Sequence, residues 1–221
     1  MSSVKIINVH QSIDAKNDAI AANIRLKNKK NGTFMINLMA SPGAGKTTLL
    51  LKTAEKLKNK YKIGVIEADI DSDVDATKMD LAGIHSIQIH TGGECAMDAE
   101  MTEEAINEFS TDTMDLLVVE NVGNLVCPAE NDIGATRNVA ILSVPEGDDK
   151  PLKYPLMFEV CQAVIISKTD TLPYFNFNKE NVKKNILTRN PDAEIFFLSA
   201  KNEEGFDKWT DWIENEIKNQ S

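Results

Sequence analysis

The stretch ASPGAGKTT, residues 40–48, places a glycine-rich turn between a strongly apolar run and the start of a predicted helix. It fits the phosphate-loop pattern G-x-x-x-x-G-K-[ST], except that Ala40 stands where the first glycine is usual. In such a turn the backbone N–H groups point inward and hold phosphate oxygens, while the helix start adds positive potential. A glycine-rich turn that binds nothing is the alternative, but the order of buried strand, turn and helix favours a phosphate-binding α/β fold.

The phosphate-loop pattern assigns a role to each of its polar side chains. Lys46 is expected to reach the β- and γ-phosphates, and the Thr47 hydroxyl is expected to bind Mg²⁺. Alanine at position 40 is compatible with the loop if that residue needs no positive φ. We therefore expect a phosphate site that comprises Gly43, Ala44, Gly45, Lys46, Thr47 and Thr48, in which Lys46 and Thr47 also serve catalysis.

Strands and helices alternate along the chain in a way that predicts the fold class. Apolar strands are predicted at 33–40, 62–68, 86–91, 115–120, 138–144, 163–168 and 193–199. Helices are predicted directly after the phosphate loop and at 12–31, 73–82, 98–109, 179–190 and 205–218. The alternation predicts an α/β P-loop NTPase, a mostly parallel sheet with helices on both faces. We expect an N-terminal helical extension over residues 1–32 and a P-loop domain over residues 33–221.

A second motif predicts which base the nucleotide carries. ISKTD, residues 166–170, follows a predicted strand and resembles the guanine-reading motif N-K-x-D of GTPases. The Asp170 carboxylate can accept hydrogen bonds from guanine N1–H and the 2-amino group, a pair of donors that adenine lacks. The stem of Lys168 can pack over the ring. Ser167 replaces the usual asparagine, which leaves the supporting contact of that position open.

The tripeptide SAK supports the same base. It follows the last predicted strand and consists of Ser199, Ala200 and Lys201. It resembles the loop whose backbone N–H contacts guanine O6 in GTPases. Either motif alone is weak, and a carboxylate that only caps a helix is the alternative for Asp170. The two motifs in this order, each after a strand, predict GTP as the bound nucleotide.

Acidic residues at the ends of two further strands predict the magnesium shell. These residues are Asp69 and Glu120. ENVGN, residues 120–124, resembles a variant of the D-x-x-G switch, in which Glu120 would hold Mg²⁺ through water and the Gly123 N–H would sense the γ-phosphate. Asp75 is a further switch candidate. Each acid could instead be a solvated loop residue, and which of the three holds the ion or the attacking water stays open.

Composition narrows the classes of partner. The net charge of −10 and the pI of about 4.8 disfavour binding to nucleic acid, and RLKNKK, residues 25–30, is typical of a solvated helix end. No apolar run approaches the ~18 residues of a membrane span, and the N-terminus lacks signal-peptide features, so a cytoplasmic protein without membrane contact is expected. Three cysteines argue against a disulfide framework and leave metal ligands, reactive thiols or packing as options.

Four stretches together resemble the HypB GTPases, the nickel-insertion factors of hydrogenase maturation. They are SPGAGKTTLL at 41–50, ENVGNLVCPAE at 120–130, EGDDKPLKYPLMF at 146–158 and LPYFNFN at 172–178. The resemblance extends from about residue 12 to the C-terminus. It implies a SIMIBI-class fold and a homodimer that forms on GTP binding. Such a protein would act with a HypA-like metallochaperone and help to load nickel into the precursor of the hydrogenase large subunit.

The resemblance also implies a nickel or zinc site, and this chain departs from the pattern of that site. The family stretch usually reads G-C-H-L-D-A, whereas TGGECAMDA, residues 91–99, keeps Cys95 and has Ala96 in place of the histidine. Cys127 matches the second cysteine, in the N-L-x-C-P segment. Both cysteines follow strand ends, so the two thiols are expected at one edge of the sheet. Each could instead be a packed side chain, which is what we expect for Cys161.

A dimer offers a way to complete the metal site without the histidine. One chain supplies two thiolates, too few to close a zinc site. A two-fold dimer doubles that number, so Cys95 and Cys127 of both chains are expected to form one four-thiolate site, with Glu94 as an alternative ligand. Whether the site still binds metal, and whether that metal is nickel or zinc, stays open.

The switch segment and the arginine content predict a GTPase with slow intrinsic hydrolysis. Asn124 stands where a water-orienting glutamine would follow Gly123, and no arginine finger is evident. A sister metallochaperone GTPase for another metalloenzyme and a P-loop small-molecule kinase are the alternatives, together with a scaffold that binds nucleotide without hydrolysis. A kinase usually carries a lid with several arginines, whereas this chain has three, Arg25, Arg137 and Arg189. Which hydrogenase is served stays open.

Overall fold

Seven parallel strands form one sheet in the part of the chain that the computed structural model describes, residues 9–69, 79–109 and 114–220. The strands are β1 Phe34–Ala40, β2 Ile63–Asp69, β3 His85–His90, β4 Leu116–Glu120, β5 Arg137–Ser143, β6 Ala163–Ser167 and β7 Glu194–Phe197. Their order is β3-β2-β4-β1-β5-β6-β7, and each pairing is parallel. The predicted fold class, a mostly parallel α/β sheet with helices on both faces, is confirmed.

The central strand β1 is apolar enough to be covered on both faces. All seven of its residues are buried, and it pairs with β4 on one side and β5 on the other. Continuous apolar runs of this kind are typical of parallel strands inside a sheet. Strands β2, β3 and β4 lie on one side of β1 in the sheet, and β5, β6 and β7 lie on the other side. The strand order therefore reverses direction at β1. Ligands bind at such a switch point, outside the carboxyl ends of the strands, and the phosphate loop begins there.

Helices surround the sheet, and the longer ones agree with the sequence prediction. In chain order they are α1 Val9–Asn31, α2 Lys46–Leu57, α3 Ala99–Glu108, α4 Cys127–Glu130, α5 Lys150–Lys153, α6 Pro155–Glu159, α7 Lys179–Arg189 and α8 Phe206–Gln220. The sequence did not predict α4, α5 and α6, because four or five residues are too few to show a helical period. The helix predicted at 73–82 falls largely on residues 70–78, outside the described residues. Among the described residues, no helix combines the length and the apolar character needed to cross a membrane.

Each face of the sheet has its own apolar core. On one face α2 and α8 pack over the strands, and the buried Trp209 of α8 donates its indole N–H to Thr53 Oγ1 of α2 at 3.0 Å. Trp212 stacks on Trp209 with the ring centroids 5.2 Å apart. On the opposite face α1 and α3 cover β2 and β4, while α6 and α7 cover β5 and β6. Helices on both faces thus hold the carboxyl ends of the strands in fixed relative positions.

The N-terminal helix α1 is attached to the rest of the chain by apolar and charged contacts. Ala21 and Ile24 are buried in the same core as α3. Arg25 forms a two-pronged ion pair with Asp132, with nitrogen–oxygen distances of 2.7 and 2.5 Å. Burial alone would raise the pKa of Asp132, but the hydrogen bonds from Arg25 and from the Gly134 N–H hold it below its usual value. Arg25 therefore has a specific partner that the sequence did not reveal, and the domain division after residue 32 stays a prediction.

Gly205, directly before α8, packs so closely against β7 that a side chain at this position should destabilise the protein. Its φ is +80°, and a Cβ atom at this position would lie 2.0 Å from the carbonyl oxygen of Phe197 in β7. Gly205→Ala is expected to lower the free energy of unfolding by about 2–4 kcal/mol, because backbone atoms must move apart. Urea denaturation followed by tryptophan fluorescence measures the loss.

Gly32→Ala is the matched control, because Gly32 has a φ of +71° and no atom within 4 Å of the added Cβ. It is expected to lose only about 1 kcal/mol. Equal losses in the two variants would show that positive φ alone, and not the close approach of the backbone, sets the effect at Gly205.

Candidate functional site

The phosphate loop takes the conformation that its glycines allow. Gly43 and Gly45 have φ angles of +75° and +100°, and Lys46 directly after them is the first residue of α2. Ala40 is the last residue of the extended strand β1, so it needs no positive φ and alanine fits where glycine is usual. The first-turn N–H groups of α2, which have no acceptor within the helix, therefore begin directly behind the loop.

A cavity of about 540 Å³ beside this loop contains most of the residues predicted to bind phosphate and magnesium. Its lining includes Lys46, Thr47, Thr48, Asp69, Glu120 and Gly123. These residues come from the first turn of α2 and from the ends of β2 and β4, which the parallel sheet brings to one edge. Asp75, which was predicted for the same place, lies outside the described residues.

Thr47 and Glu120 are in direct contact at the floor of this cavity. The Thr47 hydroxyl Oγ1 donates to Glu120 Oε1 at 2.9 Å. Glu120 is 4% exposed at the carboxyl end of β4, whereas Asp69, at the end of the neighbouring strand β2, is exposed. Hydroxyl and carboxylate oxygens are the ligands that Mg²⁺ prefers, so the side chains present fit this ion.

Glu67 is a buried acid that the sequence analysis did not single out. It is 3% exposed and lies in register with Glu120 on the adjacent strand. In-register residues of a parallel pair project from the same face, which here is the face covered by α2. The signal in the sequence was an acid inside the otherwise apolar run KIGVIEA, residues 62–68. Glu67 thus places a second buried carboxylate beside the magnesium candidate Glu120.

A second cavity, of about 280 Å³, contains the residues predicted to read the base. Its lining includes Ala44, Lys168, Asp170, Ala200 and Lys201. Asp170 Oδ1 accepts a hydrogen bond from Ser199 Oγ at 2.7 Å. Ser199 is completely buried, and its hydroxyl holds one oxygen of the Asp170 carboxylate in place.

The segment at the end of β6 is bonded to the phosphate loop. Ser167 Oγ donates to the carbonyl of Ala44 at 2.7 Å, and Lys168 Nζ donates to the carbonyl of Gly43 at 2.6 Å. Lys168 has a φ of +58° and borders both cavities. The contact that the sequence left open at Ser167 is therefore directed to the phosphate loop.

Glu146 is a further residue that the sequence analysis did not assign to the site. It begins the EGDDKPLKYPLMF stretch and accepts hydrogen bonds from the backbone N–H and the hydroxyl of Ser143, at 2.8 and 2.6 Å. Its other carboxylate oxygen accepts from the hydroxyl of Ser41 in the phosphate loop. Glu146 thus joins the end of β5 to the loop, a contact between residues 105 positions apart.

Cys95 and Cys127 lie next to each other and form a disulfide, with their Cα atoms 6.0 Å apart. The expectation that the cysteines form no disulfide is wrong for this pair. The loop after β3 and the start of α4 meet beside the ends of β2 and β4, because the parallel strands deliver both segments to the same edge. Cys95 is exposed and Cys127 is half-buried.

The described surroundings of the cysteine pair do not include a third ligand. Within the described residues, no three His, Cys, Asp or Glu side chains gather in a way that could hold a metal ion, so Glu94 does not complete a site with the two sulfurs. Ala96 is buried. Cys161 is fully buried in the core under α6 and α7, as expected, and burial raises the pKa of its thiol far above the usual value.

Comparison with known proteins places this geometry in a family. Residues 34–197 match the domain described as CobW/HypB/UreG, nucleotide-binding domain. The hydrogenase maturation factor HypB of Azotobacter chroococcum mcd 1 is 42% identical over 216 residues, which cover 98% of this chain and 71% of that protein. The chain belongs to the HypB family.

Two further comparisons agree with the HypB assignment. The hydrogenase/urease maturation factor HypB of Helicobacter pylori (strain J99) is 40% identical over 215 residues, which cover 96% of this chain and 88% of that protein. The crystal structure of HypB from Helicobacter pylori in complex with nickel superposes with a TM-score of 0.87 at 40% identity, covering 92% of this chain and 96% of that one.

The family match includes the phosphate cavity and both paired cysteines, whereas Leu198, Ala200 and Lys201 of the second cavity follow its last residue. It begins at the first residue of β1 and ends at the last residue of β7, so it contains the whole sheet, while α1 and α8 lie outside it. Cys95 and Cys127 are in direct contact, although Ala96 stands where the family stretch is expected to carry a histidine.

Asp170 is expected to determine the choice of base. Asp170→Ala should weaken GTP binding by about 2–4 kcal/mol and leave ATP binding unchanged, because only guanine offers two donors to the carboxylate. Titration with fluorescent guanine and adenine nucleotides measures the ratio of affinities. Ser199→Ala, which removes the hydroxyl that orients the carboxylate, should lower the same ratio by a smaller factor. Equal affinity of the unmutated protein for GTP and ATP would contradict the assignment of this cavity to guanine.

Proposed function

We propose that this protein is a GTP-dependent metallochaperone that delivers nickel to the precursor of the hydrogenase large subunit and hydrolyses GTP slowly. The observation that carries the proposal is the position of the Cys95–Cys127 pair. Cys127 lies three residues after Asn124, which ends the ENVGN segment beside the phosphate cavity. A metal-binding pair and a nucleotide site that share one short segment are what a nucleotide-controlled metal carrier requires. Membership of the HypB family and the nickel complex of Helicobacter pylori HypB support nickel as the cargo.

Nucleotide binding would use the two cavities together. The guanine base would lie in the smaller cavity with Asp170 toward its N1–H and 2-amino group, and the stem of Lys168 would cover the ring. The phosphates would lie in the larger cavity, against the N–H groups of the loop and the ammonium of Lys46. Because Lys168 borders both cavities, it would contact the nucleotide near the sugar that joins base and phosphates.

Catalysis would depend mainly on charge neutralisation and positioning. Magnesium would be held by Thr47 with the aid of Glu120 and Asp69, and it would neutralise charge that develops on the phosphates. The position after Gly123, where a glutamine orients water in many GTPases, is Asn124. Its side chain is already bonded to Cys127 and to the start of α4. That engagement keeps it from holding an attacking water, which supports slow intrinsic hydrolysis.

The dimer would bring two cysteine pairs together. Exposed apolar side chains lie on the residue before α4, on α5 and on α6, with exposed fractions of 45% for Val126, 53% for Leu152 and 41% for Leu156. The helices α5 and α6 that carry the two leucines pack against each other, and α6 also contacts α4. An apolar face beside the thiols is suited to a homodimer that forms on GTP binding. The dimer would receive metal from a HypA-like metallochaperone.

The names of the relatives suggest the enzyme that would receive the nickel. Hydrogenase is named for the Azotobacter relative, and hydrogenase together with urease for the Helicobacter relative. The hydrogenase precursor is the client that both names share, and a second nickel enzyme is the alternative. Nickel transfer from the loaded protein to each purified precursor distinguishes the two.

Hydrolysis of GTP by the isolated protein is expected to be slow, with a rate constant on the order of 10⁻⁴ to 10⁻² s⁻¹. Lys46→Ala should abolish phosphate release, because the variant lacks the Lys46 ammonium that would neutralise the β- and γ-phosphates. Lys52→Ala is the matched control on the same helix, since Lys52 pairs with Glu55 and Glu203 away from the cavity. Single-turnover phosphate release measures the hydrolysis rate of the parent and of the two variants. Activity retained by Lys46→Ala would contradict the assignment of the phosphate loop.

Metal binding is expected to require reduction of the Cys95–Cys127 disulfide, because sulfurs bonded to each other are not available as thiolate ligands. Protein reduced with a phosphine should bind about one zinc or nickel ion per dimer in the presence of a GTP analogue. The oxidised protein should bind none, and Cys95→Ala and Cys127→Ala should lose binding. Cys161→Ala, which changes the buried free cysteine, should bind as the parent does.

Equilibrium dialysis with metal analysis measures each state. Equal metal binding by the oxidised parent, or by both cysteine variants, would mean that the pair is not the metal site. The nickel-carrier proposal would then fail even if GTP binding were confirmed.

A further inference from the structure

Glu146 attaches the start of the phosphate loop to the end of the neighbouring strand β5. The Ser41 hydroxyl donates to its Oε1, while the N–H and the hydroxyl of Ser143 donate to its Oε2 at 2.8 and 2.6 Å. Ser143 is the buried last residue of β5, and β5 pairs with β1 up to the point where the loop begins. One carboxylate therefore connects the loop to a strand that the sheet holds in place.

Ser41 stands where the chain leaves β1 and enters the loop. It follows Ala40, the last residue of β1, and its carbonyl accepts the N–H of Ala44 at 3.3 Å. Gly43 and Gly45 have positive φ angles and carry no side chain that could hold this turn in place. The bond from the Ser41 hydroxyl to Glu146 therefore supplies a restraint that the glycines of the loop cannot supply.

The segment that begins at Glu146 is also attached to α7. Asp148 Oδ2 accepts from the N–H of Asn178 at 3.1 Å, and the Asp148 carbonyl accepts from Asn185 Nδ2 at 3.3 Å. Asn178 caps the start of α7, a few residues after the helical turn 169–174 that carries the base-reading carboxylate. Glu146 is thus held from two directions, by the end of β5 and by the segment that follows it.

The charge of Glu146 and its hydrogen bonds have opposite expected effects on nucleotide binding. A carboxylate near the phosphate loop repels phosphates, so removal of its charge alone would tighten their binding. Hydrogen bonds to an ionised carboxylate are about twice as strong as neutral ones, so loss of the bond to Ser41 would release the loop and weaken binding. The sign of the change in affinity therefore distinguishes the two effects.

We propose that Glu146, through its bond to Ser41, is a positioning residue that holds the phosphate loop in its binding conformation before a nucleotide enters. The inference rests on the proposed function and adds to it a residue that sets the affinity for phosphates separately from the selectivity for the base. A loop that is already ordered loses less conformational entropy on binding. The contribution is equal for GTP and GDP, because the loop contacts phosphates that both nucleotides share.

The test measures affinities for nucleotides that differ in phosphate number or in the base. GTP, GDP and inosine diphosphate, which lacks the 2-amino group, are titrated calorimetrically with Mg²⁺ into the parent, Ser41→Ala and Glu146→Ala. Both variants are expected to bind all three nucleotides about 5- to 30-fold more weakly than the parent. The ratio of the GDP affinity to the inosine diphosphate affinity should stay within about twofold of the parent ratio, because Asp170 is unchanged.

Two further variants separate the bond from the residues that make it. Ser41→Ala/Glu146→Ala should bind GDP within about twofold of the weaker single variant, because all three proteins lack the same bond. Glu146→Gln should bind GDP within about threefold of the parent. An amide of this shape can accept from the Ser143 N–H and donate to the Ser41 hydroxyl, so the attachment is kept while the charge is removed.

Asp149→Ala is the matched control for the loss of one carboxylate from the same segment. Asp149 pairs with Lys153 instead of the phosphate loop, so this variant should bind GDP within about twofold of the parent. Unchanged or tighter binding in Ser41→Ala, which alters no charge, would overturn the inference even if Glu146→Ala failed to fold. An equal loss in Asp149→Ala, or no rescue by Glu146→Gln, would also overturn it. A parent that binds neither GTP nor GDP would instead overturn the proposed function.

Hydrogen exchange measures the order of the loop before a nucleotide binds. The Ala44 amide, which donates to the Ser41 carbonyl, should exchange at least threefold faster in nucleotide-free Ser41→Ala than in the nucleotide-free parent. The two proteins should exchange equally at this amide when saturated with GDP. The Thr169 amide, which donates to the Leu198 carbonyl on the base side, should not differ between them. Equal exchange at Ala44 without nucleotide would contradict an ordering role of the bond.

Discussion

The arrangement of the site depends on the carbonyl groups of the phosphate loop. A loop that turns its N–H groups inward toward phosphate must direct carbonyl oxygens outward, and these oxygens need donors. Two neighbouring segments supply three such donors. Ser167 donates to Ala44 and Lys168 to Gly43 from the end of β6, and the Asn124 backbone donates to Ala40 from the segment after β4. The base-reading segment and the switch segment are thus assembled on the outer side of the phosphate loop.

This constraint explains why the parts of the site are spread along the chain and yet act together. The bond from Ser167 to Ala44 joins residues 123 positions apart, and the contact between Ser41 and Glu146 joins residues 105 positions apart. The first of these bonds satisfies a backbone carbonyl of the loop, and the second holds a loop side chain. A change in one segment therefore alters the loop that all the others contact.

The sequence predicted those strands and site residues that depend on a short, continuous stretch of residues. The run FMINLMA is apolar throughout, so β1 was predicted to within one residue of its observed start and end. The position of Asp170 followed from a motif at the end of a strand. The contacts of Ser167 and Glu146 depend on segments that only the fold brings together, and Glu67 was missed because an acid inside an apolar run carries no periodic signal.

The cysteines show the same limit. Their closeness followed from the edge at which parallel strands end, whereas the bond between them depends on the path of two loops that lack a repeating pattern. The three sulfurs differ in their exposure to solvent, because Cys95 is exposed, Cys127 is half-buried and Cys161 lies in the core. A thiol that is enclosed in this way cannot reach the other two, so exchange between wrong partners is prevented by burial alone.

The attachment of α1 has a consequence for the order of events during synthesis. Its charged partner Asp132 lies 107 residues after Arg25, and the Ala99 amide that bonds Asn17 lies 82 residues after it. At about 5–20 residues per second, a ribosome needs roughly 5–20 s to extend the chain from Arg25 to Asp132. Throughout that interval Ala21 and Ile24 have no core to enter, and the helix lacks the tertiary packing from which helices in proteins gain most of their stability. Helix α1 is therefore synthesised well before the residues that it docks against, and in the meantime its apolar residues Ala21 and Ile24 remain exposed to water.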